Sequence, residues 1–335
     1  MTFDDFTLAL PSKGAIAEPT LNFLRDSGLK VVKPNPRQYT GDIPAINGLS
    51  VLFQRAKDVL YKVSDGTAQL GVTGYDIVRE NPSDDIIIIN DKLDYGHCSL
   101  VVAVPESWVD VENMQDLVEV ANDLRDKKQK NLRVATTFPF LTRQFLHKHH
   151  IHHFTIVKAD GAIEAAPTIG YADIIVDLTQ TGTTLRENHL KMLPDGNIID
   201  SEACFIGNRP AFEAHPELFD ITKVLLEYMD AAMHARQIYQ VTVDIQGKSS
   251  EDIAKRILEH PLTRGLIGPT LAPIYTSEPG TWYSATLTIK HKDILQAVNH
   301  LISIGGRHAV VMPSRYVFME ASETYQKLLA QLGRA

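Results

Sequence analysis

Only two cysteines, Cys98 and Cys204, occur among the 335 residues. That excludes a disulfide framework and suits a reducing compartment, with one bridge at most. Positive charge is short as well: 33 lysines and arginines stand against 41 aspartates and glutamates, a formal net charge of −8. Dedicated nucleic-acid and membrane-surface binders carry a basic excess, so neither class fits. A polyanionic ligand must then be met by a local cluster of basic groups, backbone amides and metal ion. Long apolar runs are also missing. Ile86-Ile87-Ile88-Ile89 and Leu100-Val101-Val102-Ala103-Val104 are far too short to span a bilayer. The start, Met1-Thr2-Phe3-Asp4-Asp5, has acids where a secretory signal has bases, which predicts a cytoplasmic protein. There is no internal repeat, low-complexity tract or heptad seam. What is present, 44% hydrophobic and 22% charged residues, is the make-up of a globular chain long enough for two or three cores.

Strand-like runs alternate with helical patterns over roughly the first 235 residues, predicting an α/β architecture with largely parallel sheets. Thr7–Leu10 reads as a first strand, closing on Pro11-Ser12-Lys13-Gly14. The next helix has Ile16, Leu21 and Leu24 as inward positions and Gly28 as its stop. Val51–Val63 reads as an amphipathic helix, and Gln69–Asp76 as a strand closing on a glycine turn. Asp116–Lys130 is a solvated helix, and Leu132 opens a second α/β unit. Ile198–Ile206 reads as a return strand, so the chain crosses twice between two lobes. Ala211–Arg236 is a long helical connector. Beyond it the order is β-α-β-β-α-β, a ferredoxin-like module of the kind used for effector binding. Tyr239, Val241, Val243 and Ile245 share one face of its first strand, and a hairpin turns at Ser277-Glu278-Pro279-Gly280.

The most informative stretch is Thr179-Gln180-Thr181-Gly182-Thr183-Thr184-Leu185. It follows the buried-strand run Ala172–Leu178 and precedes helical spacing from Leu185 to Leu190. Such a Thr/Gly loop can be simply a turn and helix cap, but strand, small hydroxyl-rich loop and helix start also form a construction that binds phosphate, where loop amides converge with the unpaired first amides of the helix. Threonine hydroxyls add donors, and Gly182 lets the backbone approach or take positive φ.

With Asp177 feeding this loop, the chain resembles the ATP phosphoribosyltransferases in their long form, the family of the first step of histidine biosynthesis. Leu10-Pro11-Ser12-Lys13-Gly14 is similar to the family's opening motif. Gln54–Val59 followed by Gly71–Asp76 is similar to its Arg-Pro-x-Asp-Ile and Gly-Ile-Thr-Gly-Tyr-Asp pair. Ala135–Pro139, Gly161–Pro167 and Ala172–Leu185 match further motifs in the same order. The resemblance implies a two-lobed periplasmic-binding-protein-like catalytic core plus a C-terminal ferredoxin-like regulatory domain. Residues 1–104 and 198–236 would form lobe I, 105–197 lobe II, and 237–335 the regulatory domain. It implies ATP and phosphoribosyl pyrophosphate as substrates, Mg²⁺ as cofactor, and attack by adenine N1 on the anomeric carbon. Lys13, Arg55, Glu164 and Asp177 become the catalytic candidates, with Asp177 as metal ligand. Asp173, Asp177, Thr179, Gln180, Thr181, Gly182, Thr183 and Thr184 would hold the phosphoribosyl group, although Asp173 could simply cap the strand start. Tyr75 and Asp76 would contact the nucleotide. Asp244, Leu266, Thr270 and His308 would form a histidine-inhibitor site, with AMP as a second inhibitor, in a homo-oligomer (dimer or hexamer).

Two departures stand out. Ala15 replaces a family arginine, so a cation comes from elsewhere, such as Arg143 or a neighbouring subunit. His308 replaces a small residue, and its imidazole is expected to fill the inhibitor pocket and weaken inhibition. Other classes remain open: a solute-binding protein whose loop cradles an oxyanion, or a catalytically weak relative. The cluster His147-Lys148-His149-His150-Ile151-His152-His153 lacks the spacing of a closed zinc site and reads as a helix end. Cys98 and Cys204 read as packed side chains, not nucleophiles.

Overall fold

The computed structural model describes residues 6–35, 37–158, 161 and 163–334, so Met1–Asp5 and Ala162 of the 161–167 motif lie outside it. The chain divides into two compact units, residues 1–23 with 31–219, and 24–30 with 220–335.

The first unit holds two sheets. One combines β1 (Phe6–Pro11), β2 (Thr40–Asp42), β3 (Leu49–Gln54), β4 (Leu70–Gly74) and β5 (Ile86–Asn90) with the much later β11 (Ala203–Asn208). Their order is β2-β3-β1-β4-β11-β5. The other contains β6 (Cys98–Pro105), β7 (Leu132–Thr136), β8 (Phe154–Lys158), β9 (Ile174–Thr179) and β10 (Leu190–Ser201), ordered β10-β6-β9-β7-β8. Helices α1 (Ala17–Asp26), α2 (Ala56–Ser64), α3 (Tyr75–Glu80), α4 (Met114–Lys128), α5 (Pro139–Lys148), α6 (Thr183–Glu187) and α7 (Arg209–Ala214) connect them.

The chain passes between the sheets twice, through residues 91–97 and then through Glu202 alone. The expected return strand 198–206 is therefore two strands, the end of β10 in one sheet and β11 in the other. Both sheets are mixed, not largely parallel. β1 runs parallel to β3 and β4, and β7 to β8 and β9, but the crossing strands β6, β10 and β11 pair antiparallel with their neighbours. A strand that brings the chain back from the other lobe arrives in the reverse direction. Residues 98–104, grouped by sequence with lobe I, stand in the second sheet as β6.

Local pattern explains the elements. Ile174, Ile175 and Val176 form an unbroken apolar run because both faces of β9 are covered. One face packs on Leu100, Val102 and Val134, the other on Ala103, Ala135, Ile163 and Leu185. The stretch read as one helix from Val51 is β3 followed by α2. Leu49, Val51 and Phe53 are buried with a period of two, and only from Ala56 does helical spacing put Val59, Leu60 and Val63 inside. The expected connector 211–236 breaks at His215-Pro216 into α7 and α8 (Glu217–Gln237), with His215 held extended at φ −127°, ψ 93°.

The second unit contains β12 (Ile238–Gln246), α9 (Ser250–Glu259), β13 (Thr270–Ile274), β14 (Trp282–Lys290), α10 (Ile294–Ser303) and β15 (Gly306–Pro313). Its antiparallel order β13-β14-β12-β15 is ferredoxin-like, as the sequence pattern predicts. Val241, Val243, Ile245, Ala285, Leu287 and Ile289 pack against Ile253, Ile257, Ala297 and Leu301 of the two helices. A final helix, α11 (Glu323–Gln331), has no counterpart in the sequence reading. It is capped by Ser322, whose hydroxyl donates to buried Asp230 at 2.6 Å, with Thr324 donating to the same carboxylate at 2.9 Å. Among the described residues no helix is long and apolar enough to cross a membrane.

Candidate active site

The parallel strands β1, β3 and β4 end on one edge of the first sheet, and each hands over a candidate residue there. Lys13 follows β1, Arg55 sits between β3 and α2, and Tyr75 and Asp76 open α3 directly after β4. In open α/β sheets ligands bind at the carboxyl ends of strands. The carboxyl end of β9 in the second sheet carries the Thr179–Thr184 loop. Between these edges lies a cavity of about 260 Å³, to which Lys13, Ala15 and Asp76 contribute from one lobe and Thr179 and Gln180 from the other. An adjoining cavity of about 370 Å³ adds Tyr75, Lys92, His97, Ser99 and Asp200; Cys98, Gln180 and Glu202 line both.

The loop geometry follows from Gly182. Its φ of +72° lies in the left-handed region, and a Cβ there would come within 3.1 Å of Met192 Cε. The Gly182 N–H donates to Thr179 Oγ1 at 2.9 Å, which closes the turn. Thr181 and Thr183 hydroxyls meet at 2.9 Å, and Arg186 Nη2 donates to Thr183 Oγ1 at 3.3 Å. The helix expected from Leu185 to Leu190 is only α6, five residues, after which Leu190 begins β10. So short a helix adds little dipole, and the polar groups gathered at the loop are its amides, its threonine hydroxyls and Arg186.

Burial raises two carboxylates here. Burial pushes the Asp177 carboxyl up to about 6; an N–H from Leu178 at 2.8 Å opposes the rise, and the charge of Glu164 adds to it. Asp76 is 5% exposed, and burial raises its carboxyl above the ordinary range. Ser201 Oγ donates to Asp76 Oδ1 at 2.7 Å, which pulls the other way. Burial, with help from the Asp76 charge, pushes the Cys98 thiol up to about 11, and burial raises Cys204 too. Thiols that hold their protons are not nucleophiles at neutral pH.

Asp173 stands elsewhere. It precedes β9 at the end of the strand away from the loop, where Arg133 grips it through Nη2–Oδ1 at 2.8 Å and Nε–Oδ2 at 3.3 Å. The Arg133 backbone N–H adds a third bond at 2.8 Å, so Asp173 caps the strand start. His147 and His152 approach through Nδ1 atoms at 3.2 Å, at the end of α5. Among the described residues no three His, Cys, Asp or Glu side chains are grouped to hold a metal ion.

In the second unit, Asp244 pairs across the sheet with Ser284 and Arg307, and Thr270 with Thr286, on the face opposite the helices. The Leu266 N–H donates to Thr288 Oγ1 at 3.0 Å. His308 lies where the β12–β15 register skips, at a positive φ of 52°. Its imidazole was expected to fill a pocket; it is 81% exposed, with Nδ1 3.7 Å from Asp244 Oδ2.

A family model described as HisG, ATP phosphoribosyltransferase, matches residues 55–229, more than half of the chain. The chain belongs to the ATP phosphoribosyltransferase family. It is therefore a phosphoribosyl-transferring enzyme. It is 35% identical to ATP phosphoribosyltransferase 2, chloroplastic, of Arabidopsis thaliana, over 98% of this chain and 81% of that protein. It is 46% identical to the ATP phosphoribosyltransferase of Chelativorans sp. (strain BNC1), over 62% of this chain and 94% of that one. The family thus includes members without a counterpart to about a third of this chain. The fold resembles a chain of the ATP phosphoribosyl transferase (HisG:HisZ) complex of Thermotoga maritima, with a TM-score of 0.51, 23% identity, and coverage of 67% of this chain and 98% of that one. Sequence reasoning missed Ser201, Glu202 and His97, which line the cleft, and Arg186 beside the loop. Arg186 was readable, since it falls three residues after Thr183 on the same helical face. The others join the site only through the crossing segments.

Proposed function

We propose that this family member transfers the phosphoribosyl group of phosphoribosyl pyrophosphate to N1 of ATP, with inversion and release of pyrophosphate, as the first step of histidine biosynthesis in the cytoplasm. The observation that supports this reading best is that Thr179 and Gln180, which open the glycine-turned loop, face Lys13 and Asp76 across one cavity. No side-chain nucleophile is needed, because the acceptor nitrogen attacks directly. The loop holds the 5-phosphate through amides and threonine hydroxyls. Asp177 accepts hydrogen bonds from ribose hydroxyls, with Glu164 beside it. Lys13 and Arg55 meet the phosphates of the pyrophosphate and of ATP, and Tyr75 and Asp76 border the nucleotide.

The donor set also suits Mg²⁺, which favours one or two carboxylates plus substrate phosphates. One Asp177 oxygen accepts from Leu178, leaving the other for the ion. Bound there, Mg²⁺ would offset charge developing on the leaving pyrophosphate. Arg186, at the loop, supplies a cation in place of the one lost at Ala15. The second unit is read as a sensor for histidine, with AMP as co-inhibitor, in a homo-oligomer.

The test is to mix ATP, phosphoribosyl pyrophosphate and Mg²⁺ with the protein, then follow pyrophosphate release and the N1-(5-phosphoribosyl)-ATP product. Binding of phosphoribosyl pyrophosphate without release would replace catalysis by a binding role.

A further inference from the structure

Helix α5 begins without a cap of its own. Its N-cap, Phe138, has no side-chain acceptor, and Pro139 at the first position has no N–H. The nearby Thr136 hydroxyl is already taken by the Phe138 N–H at 2.9 Å. The next two amides are satisfied from the other lobe. Glu80, the last residue of α3, accepts from Phe140 N–H through Oε1 at 2.8 Å and from Leu141 N–H through Oε2 at 3.0 Å. A carboxylate receiving both amides at a helix N-terminus is a charge-assisted, dipole-aligned contact. The same short helix begins with Tyr75 and Asp76 in the cleft, where the Asp76 N–H donates to Ser201 Oγ at 2.9 Å. Each end of α3 is thus bonded to the opposite sheet's lobe.

We propose that Glu80 is a positioning residue for the transfer reaction, a clamp that holds the lobes together by capping α5 across the cleft. The proposal rests on the phosphoribosyl-transfer reading of that cleft. Opening the lobes leaves Phe140 and Leu141 amides without their acceptor, so the cap favours the apposed arrangement in which both substrates are enclosed. Glu80 lines neither cavity of the cleft; it acts through α3 and the β7–α5 turn.

Full-length Glu80→Ala and Glu80→Gln variants test this against Asn113→Ala. Asn113 caps α4 wholly within one lobe, accepting from Gln115 and Asp116 amides at 2.8 and 3.1 Å. Glu80→Ala is expected to raise KM for ATP and for phosphoribosyl pyrophosphate by about tenfold, the worth of a helix cap, while kcat stays within about twofold. Glu80→Gln, which keeps one acceptor oxygen, should fall between. Amide exchange at Phe140 and Leu141 should quicken, and the radius of gyration from X-ray scattering should grow. Asn113→Ala should lower thermal stability and leave both KM values alone. Unchanged exchange at Phe140 and Leu141, an unchanged KM in Glu80→Ala, or an equal KM rise in Asn113→Ala overturns the clamp. If the unmodified protein releases no pyrophosphate, the transfer reading fails, while exchange and scattering still report on the clamp.

Discussion

Asp177→Asn should make the protein more stable and less active at once, and the two effects have one origin. The carboxyl is largely buried at the end of β9, and it loses its proton only near pH 6 instead of 3.8. A carboxyl whose pKa is raised on folding favours the folded state fully below its unfolded pKa. That advantage is lost as pH climbs through the folded value. A rise from 3.8 to about 6 costs about 3 kcal/mol once the group is ionised. Asparagine keeps the acceptor for the Leu178 N–H and never ionises, so the variant escapes this cost. Urea unfolding from pH 4 to pH 8 should show matching stabilities near pH 4. A gap should open between pH 4 and 6 and level off at about 3 kcal/mol in the variant's favour. Pyrophosphate release at pH 8 should fall by roughly a hundredfold or more, the usual loss when a preorganised polar group aimed at the reacting centre is removed. Curves that stay parallel from pH 4 to 8 would refute the electrostatic argument. An active Asp177→Asn variant would refute the assigned role.

Other substitutions separate site from scaffold. Gly182→Ala forces an L side chain into φ +72° against Met192, so it should cost about 1–2 kcal/mol in urea unfolding and raise KM for phosphoribosyl pyrophosphate. Asp173→Asn weakens the grip of Arg133 far from the loop, so thermal stability should drop while kcat/KM stays near that of the unmodified enzyme; a large kcat/KM loss would return Asp173 to the substrate site. His308→Gly relieves a positive φ and frees Asp244, so it should stabilise by about 1 kcal/mol and sharpen inhibition by histidine. An unchanged inhibition curve in that variant would separate His308 from the inhibitor.

What could be read from the chain is what neighbours in sequence decide. The apolar run of β9 and its Thr-Gly-Thr turn, the alternation of Val241, Val243 and Ile245, and the β13–β14 hairpin all depend on short-range periodicity and turn chemistry. β3 was lost because Val51 and Leu52 fit a helical template as well as a strand when joined to Val59 and Val63. α11 gave no signal, since its start depends on Asp230, more than ninety residues earlier. Asp173 illustrates the limit for a site. A spacing of four puts it on the same strand face as Asp177, yet face says nothing about which end of the strand meets ligand. Ser201, Glu202 and Glu80 matter through partners in the other lobe, and no local pattern reports those.

The one-residue passage at Glu202 bears on how the first unit is built. β10 ends at Ser201 in one sheet and β11 starts at Ala203 in the other, where it lies between β4 and β5. Cys204 pairs with Thr73, across some 130 intervening residues. The first sheet therefore stays split, with β5 detached from β4, until the whole second lobe has been synthesised. Lobe II in turn cannot unravel through β10 without pulling a central strand from its neighbour. Two lobes with separate cores are thereby made to fold and melt as one cooperative body, sharing a ribbon with no slack at its midpoint.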